Sequence, residues 1–206
     1  SARDFYEYIF ERVSADLIDH EWILYVTSRK YVFFETLKRL WDFSFSLILF
    51  IFFLPLGFLI ALGIFLTSRG PVIFSQQRVG EGGVPFTLYK FRTMHHDKDG
   101  PLWTEKNDSR ITRFGAFLRF THLDELPQLW NVLRGDIAFV GPRPERIELV
   151  KKYSSLPYYD LRHLIKPGIT GWAQIAYPPS TSLEEAKQKL SYDLYYLKHR
   201  SFFFDT

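Results

Sequence analysis

The sequence predicts a helix-rich α/β protein with short strands, held at a membrane by one apolar segment. Three observations carry this. Phe43 to Leu66 contains no charge and only Ser44 and Ser46 as polar residues. From Thr67 the composition changes abruptly to that of a soluble domain, where brief strand patterns alternate with longer helical ones. The stretch T-H-L-D-E-L-P-Q-L-W-N-V-L-R-G-D-I-A-F-V-G-P-R-P, residues 121 to 144, opens on two adjacent carboxylates where a helical pattern begins.

Residues 1–42 read as amphipathic helix, without the basic start and short apolar core of a cleavable signal. They begin abruptly and polar, as a fragment of a longer protein would. Residues 36–70 form the membrane element with its basic flanks. Twenty-four apolar residues at about 1.5 Å each reach about 36 Å, enough for a bilayer core of about 30 Å. Two features speak against a plain crossing. Pro55 sits at the midpoint with Gly57 behind it, and a mid-helix proline removes a hydrogen bond and bends the axis. Lys38 and Arg39 precede the segment and Arg69 and Arg78 follow it, so the positive-inside rule favours both ends on the cytoplasmic side. A re-entrant helix-break-helix hairpin and a kinked span both fit these residues, and a buried core helix is the bland alternative.

Residues 71–206 form the soluble domain. Val72 to Phe74 and Phe86 to Phe91 read as strands around the flexible loop Gly80 to Pro85. His95 and His96 resemble metal ligands, but neighbours on a strand point to opposite faces, and with Asp97 they read as solvated loop residues. Asn107 to Phe120 is a loop and then a basic, aromatic helix that carries Arg119 toward the carboxylates. In 121–144, Leu126, Leu129, Trp130 and Leu133 make one apolar face, Thr121 with Asp124 reads as a capping box, and Gly135 reads as the stop. The start of such a helix suits an anion such as phosphate; the bland alternative is that acidic residues favour first turns. A helix from Arg146 to Tyr153 follows. Lys166 to Trp172 reads as a rigid turn-rich loop, and Ser182 with Glu185 caps a last helix ending near His199.

The totals set limits. A chain of 206 residues affords one domain with a sizeable core. A net charge of +3 is too weak to argue for nucleic acid and suits an anionic membrane surface or phosphorylated substrates. With no cysteine, thiolate catalysis and cysteine metal sites are excluded. Aromatic residues make up 18% of the chain, and Phe and Trp near basic residues suit a membrane interface.

Four motifs stand in order behind the proline-broken segment: Y-K-F-R-T-M at 89–94, R-F-T-H-L-D-E-L-P-Q-L-W-N-V-L-R-G-D at 119–136, F-V-G-P-R-P-E at 139–145 and K-P-G-I-T-G-W-A-Q at 166–174. Over residues 36 to 206 the chain closely resembles the bacterial sugar transferases, the monotopic phosphoglycosyl transferases. The resemblance implies that residues 1–35 are the tail of the linker found in the long members, and that a re-entrant hairpin lies under a catalytic domain at the cytoplasmic face of the bacterial inner membrane. It implies transfer of a sugar-1-phosphate from a nucleotide diphosphate sugar, with uridine the expected nucleoside, to polyprenyl (undecaprenyl) phosphate. By the same resemblance Asp124 is the nucleophile that carries a covalent phosphosugar. Glu125 is its partner in acid/base or magnesium work, Arg119 and Arg143 bind phosphate, Lys90 is the basic residue of the Lys-Phe-Arg motif, and Asp193 is a further acidic site residue. The chain departs from the family in having Leu54, where many members have serine, before the membrane proline.

The chemistry of the residues agrees with these expectations. A carboxylate can attack phosphorus and split one transfer into two steps. Arginine and Mg²⁺ offset the charge that gathers on a diphosphate, and Mg²⁺ is commonly held by one or two carboxylates plus phosphates, here Asp124 and Glu125. Adjacent helical residues do not face each other, so the pair can converge only in an irregular turn. Two rival readings share the membrane element: a phosphodiesterase that hydrolyses nucleotide sugars, and a non-catalytic scaffold for anionic lipid. Neither the sugar nor the oligomeric state is legible, and a homo-oligomer stays open.

Overall fold

A computed structural model of the chain describes residues 2–28, 32–95, 108–178 and 182–205. His96 and Asp97 lie outside the described residues. Two short helices open the chain, α1 (Ala2–Phe10) and α2 (His20–Ser28), followed by a 36-residue helix, α3 (Val32–Thr67). Next come β1 (Ile73–Val79), β2 (Pro85–Phe91), α4 (Arg113–Phe120) and α5 (Gln128–Arg134). The remainder is β3 (Ala138–Val140), α6 (Ile147–Tyr153), β4 (Gly168–Thr170), α7 (Trp172–Ala176) and α8 (Leu183–His199). β1 and β2 form an antiparallel hairpin in register from Ile73↔Phe91 to Val79↔Pro85, and β3 pairs with β4 in parallel. The fold is helix-rich with short strands, as the sequence predicts. β1 runs longer than the Val72–Phe74 reading, because its Ser-Gln-Gln-Arg half has no apolar alternation to announce it.

α3 is long and apolar enough to cross a membrane by length and composition. Its helical backbone passes through Pro55 without interruption. At Pro55, where the sequence reads as a break, the helix carries a proline and continues. Proline removes its own N–H and crowds the carbonyl four residues before it, and the ladder resumes on either side. One stripe of α3 faces the domain along its whole length. Asp42, Ser46, Ile60 and Ile64 are buried there. Phe45 meets Phe139, and Phe50 meets Trp130. Ile60 and Ile64 join Phe91 and Leu118 in one apolar cluster. The opposite face leaves Ile48, Ile51, Phe52, Phe58, Phe65 and Leu66 exposed. An apolar face of that extent has no place in water.

A second cluster is built on α8, where Leu190, Leu194 and Leu197 pack with Leu149, Tyr153 and Tyr159. Trp22 and Val26 of α2, from the region read as a linker, insert into this same cluster, and the Val13 N–H donates to Ser191 O. The capping box of α8 forms as read: the Ser182 side chain accepts from the Glu185 N–H, and Glu185 accepts from the Ser182 N–H.

α5 is tied to β2 by one side chain. Asn131 is fully buried, accepts from the Tyr89 N–H (3.1 Å), and donates to Thr87 O (2.7 Å) and Asp136 Oδ2 (3.0 Å). Asn131→Ala strands a buried N–H and a buried carbonyl, which costs about 1–3 kcal/mol. The expected result is a fall of several degrees in the detergent melting temperature; an unchanged melting temperature would remove Asn131 from this role.

Candidate active site

The two carboxylates share an irregular turn because α4 ends sharply. α4 starts on Thr112, whose Oγ1 accepts from the Gly115 N–H at 2.8 Å. A Cβ on Gly115 would stand 2.1 Å from Thr93 O, so only glycine lets α4 lie on the chain leaving β2. After Phe120 the backbone reverses at His122, which takes the left-handed conformation (φ 56°). A 3-10 turn, Leu123–Glu125, follows and carries both acids. This is the irregular turn that adjacent carboxylates need in order to converge.

Two details differ from the sequence reading. The Thr121 capping box does not form: Thr121 Oγ1 donates back to Phe117 O and Leu118 O, because Thr121 ends α4 instead of starting α5. The acids therefore precede α5, which starts after Pro127 and stops at Gly135 in the left-handed conformation, as read. Trp130, read as part of the apolar core face, is about half exposed beside Phe50.

Lys90, near the end of β2, holds Glu125 Oε1 at 2.5 Å. Arg119 in the last turn of α4 donates from Nε to Thr93 Oγ1 at 2.8 Å and bears on Asp124 electrostatically. Asp124 is buried, and burial pushes its carboxyl above the usual aspartate range, against the pull of Lys90 and Arg119 and with the Glu125 charge adding to the rise. Burial also pushes Glu125 up, but Lys90, Arg143 and His122 outweigh it and hold Glu125 below the usual range. The environment thus separates the two acids: one poised and basic, one a fixed anion.

Beside the pair lies a cavity of about 620 Å³ lined by His122, Glu125, Arg143, Glu145, Tyr177 and Lys189, among others. Arg143 sits on the loop after β3. Gly141 and Gly171 hold that loop, since a Cβ on Gly171 would come 2.1 Å from Gly141 O and one on Gly141 would come 2.4 Å from Lys166 O. The motifs at 139–145 and 166–174 thus pack backbone on backbone, and within the second, Gly168–Thr170 forms β4 where the sequence reads as loop.

Asp193 stands apart from the acid pair. It is buried in α8 and paired with Arg162, whose Nη2 lies 2.8 Å from Asp193 Oδ2. Arg162 also donates to the Arg143 carbonyl (3.0 Å) and to Tyr159 Oη (2.9 Å). Lys189 pairs with Glu145 at 3.0 Å in the same layer. Arg162, Glu145 and Lys189 were not legible as site residues: Arg162 lies in no motif, and only the fold brings the three together. Thr93 and Arg92 stand inside Y-K-F-R-T-M, but their roles depend on what the strand end meets. Arg92 donates to Ser68 O (2.9 Å) and to Pro71 O, holding the end of α3.

Among the described residues no cluster of three or more metal-binding side chains exists. His95 is tied by its backbone to Arg110. The donor set fits Mg²⁺ of the kind held by one or two carboxylates with phosphate oxygens completing the shell, and fits no all-protein cage.

Comparison with known proteins places residues 33–206 under the family model described as bacterial sugar transferase. The chain is 39% identical over 173 residues to a UDP-N-acetylgalactosamine-undecaprenyl-phosphate N-acetylgalactosaminephosphotransferase of Aeromonas hydrophila, covering 82% of this chain and 41% of that protein. It is 44% identical over 179 residues to a UDP-glucose:undecaprenyl-phosphate glucose-1-phosphate transferase of Xanthomonas campestris pv. campestris, covering 84% and 37%. A putative undecaprenyl-phosphate N-acetylgalactosaminyl 1-phosphate transferase of Bacillus subtilis is 45% identical over 133 residues, covering 64% and 74%. The chain thus spans about two fifths of the first two relatives.

Asp193→Asn leaves Arg162 charged and buried against a neutral amide. Breaking a buried pair in this way costs about 3–5 kcal/mol. The expected outcome is a marked loss of melting temperature, partly restored in the double variant Arg162→Met/Asp193→Leu. Unchanged melting with abolished turnover would instead place Asp193 on the substrate.

Proposed function

The chain belongs to the bacterial sugar transferase family, and on that premise we propose that it moves a sugar-1-phosphate from a UDP-sugar to polyprenyl phosphate through a phosphosugar bound to Asp124. The observation that carries this reading is the placement of Asp124: a buried, basic carboxylate next to Glu125, Lys90 and Arg119.

In the first step an Asp124 oxygen attacks the phosphorus that bears the sugar. The bond to the other phosphoryl group breaks, and its electron pair leaves with the nucleoside monophosphate. In the second step an oxygen of the polyprenyl phosphate attacks the same phosphorus, and the Asp124 carboxylate leaves. The product is a polyprenyl diphosphate sugar. Two in-line displacements replace one, and the intermediate stays on the enzyme while the soluble product departs. Arg119 and Arg143 offset phosphate charge from two sides, and Lys90 keeps Glu125 an oriented anion. Asp124 and Glu125 would hold Mg²⁺ together with diphosphate oxygens, and the ion would neutralise charge on the leaving phosphate.

A polyprenyl acceptor keeps its phosphate at the membrane surface, so the acid pair belongs at that height. The stripe of domain contacts along α3 supports a one-leaflet placement. Arg39 near one end of α3 binds the domain, and Arg92 of the domain binds the chain at the other end, so a straight crossing would drag the domain through the bilayer. Basic residues at both ends favour the cytoplasmic face.

Intact-mass analysis after mixing with UDP-sugar and Mg²⁺, without acceptor, tests the reading. The wild type should gain the mass of one phosphosugar, and Asp124→Asn should gain none; an adduct on Asp124→Asn places the nucleophile elsewhere. Monophosphate release that needs no lipid and leaves no adduct would mean hydrolysis.

The pH dependence has a defined sign. The attacking form is the carboxylate, and burial raises its pKa, so the nucleophile is lost as pH falls through that raised value. The acid limb of single-turnover adduct formation should lie above the ordinary aspartate value of about 3.9. Lys90→Met removes the strongest opposing charge and should move that limb further up. A limb at or below the ordinary value would contradict the buried setting of Asp124.

A further inference from the structure

α5 starts three residues after Glu125 and is braced against α3 at both of its ends. At its C-terminal end Arg39 reaches over from α3. Its Nη1 donates to Val132 O (2.5 Å) and its Nη2 to Leu133 O (2.7 Å). These carbonyls belong to the last turn of α5, where Val132 O also accepts from the Gly135 N–H at 3.0 Å. A planar fork with two donors matches two adjacent carbonyls, and a cation is favoured at the negative end of the helix dipole. Gly135 makes room: a Cβ there would lie 3.2 Å from the guanidinium. At the start of α5, Ser46 Oγ donates to Leu129 O at 2.8 Å, and Ser46 is fully buried. Arg39 and Ser46 lie seven residues apart, two turns along one face of α3. They grip the last and first turns of α5, so the two helices run antiparallel and neither sliding nor rotation between them is free.

Arg39 is half-buried, and water could solvate the carbonyls it leaves. Its loss therefore need not unfold the chain, yet it frees the helix that directly follows the acid pair from the helix that carries the apolar outer surface. We propose that Arg39 and Ser46 are positioning residues that set the height of Asp124 and Glu125 relative to the bilayer. They matter for the step that uses a membrane-held acceptor and not for the step that uses a soluble donor. The distinction between the steps rests on the transfer reading above.

The experiment uses the protein in lipid nanodiscs, as wild type, Arg39→Met, Arg39→Lys and Ser46→Ala. Adduct formation from UDP-sugar and transfer from the preformed adduct to polyprenyl phosphate are timed separately. In Arg39→Met adduct formation should stay within about twofold of wild type. Transfer to the lipid should slow by about tenfold or more, since small misplacements of reacting groups carry large rate penalties. Arg39→Lys, with one donor aimed at two carbonyls, should fall between. A parallel loss in both steps together with lowered melting would make Arg39 merely structural, and unchanged rates would remove the role altogether.

A second readout needs no turnover. The chain has no cysteine, so Thr121→Cys, at an exposed position before the acids, takes a single nitroxide or fluorescent label. Its depth against lipid-borne quenchers should shift or broaden in Arg39→Met. An identical depth in both backgrounds overturns the proposal even if the wild type forms no adduct, an outcome that would sink the transfer reading separately.

Discussion

Two carboxylates adjacent in sequence and withdrawn from water repel each other, and most of the fold around them serves to offset that repulsion. Lys90 comes from β2, Arg119 from α4 and Arg143 from the loop after β3. None of these elements is stable at its place alone. β2 is tied to α5 through Asn131, α4 lies on the strand end through Gly115, and the Arg143 loop is held through Gly141, Gly171 and Arg162. The left-handed turn at His122 is the local cost of placing both acids on one edge. The result is asymmetric: Glu125 receives the direct ion pair and stays a low-pKa anion, while Asp124 is left buried and basic. The nucleophilic role proposed for Asp124 needs that asymmetry, because a carboxylate fully satisfied by a lysine has little reason to attack phosphorus.

α3 solves the opposite problem. Asp42 and Ser46 turn toward the domain, while most of the apolar side chains of α3 turn away from it. Ser46 and Asp42 are buried against the domain while Phe52 and Phe65 are exposed. In water this arrangement would be inverted, and a lipid surround makes it ordinary, since lipid offers apolar groups nothing to flee and polar groups no partners. The domain supplies those partners. Leu129 O receives the Ser46 hydroxyl, and Arg92 reaches back to Ser68 and Pro71 at the far end.

Much of this was legible along the chain. The apolar run of α3, the stop at Gly135 and the box at Ser182 and Glu185 are local signals with local causes, and each appears where it was read. The misses also have causes. Thr121 carries the residue type of a cap, but whether it caps the helix behind or ahead depends on His122 adopting a left-handed conformation. Pro55 is a strong breaker in isolation, but one missing hydrogen bond does not end a helix with long apolar flanks. The strand at Gly168 is three residues long and exists only because β3 lies beside it, a partner no local pattern announces.

The same limit explains why the resemblance gave Asp193 no more than the standing of a further acidic site residue. Asp193 lies outside the four motifs, and no local pattern announces its partner. In the fold, Asp124 lies at the turn beside the cavity with its cations at a distance, whereas Asp193 is locked onto Arg162 at 2.8 Å within α8. Asp193 is directly ion-paired with a buried guanidinium, whereas Asp124 feels Lys90 and Arg119 as charges at longer range. Arg162 links the two, because the guanidinium that satisfies Asp193 also holds the backbone of Arg143. The buried pair thus acts on the cavity through the loop it fixes, without lining it beside Glu125.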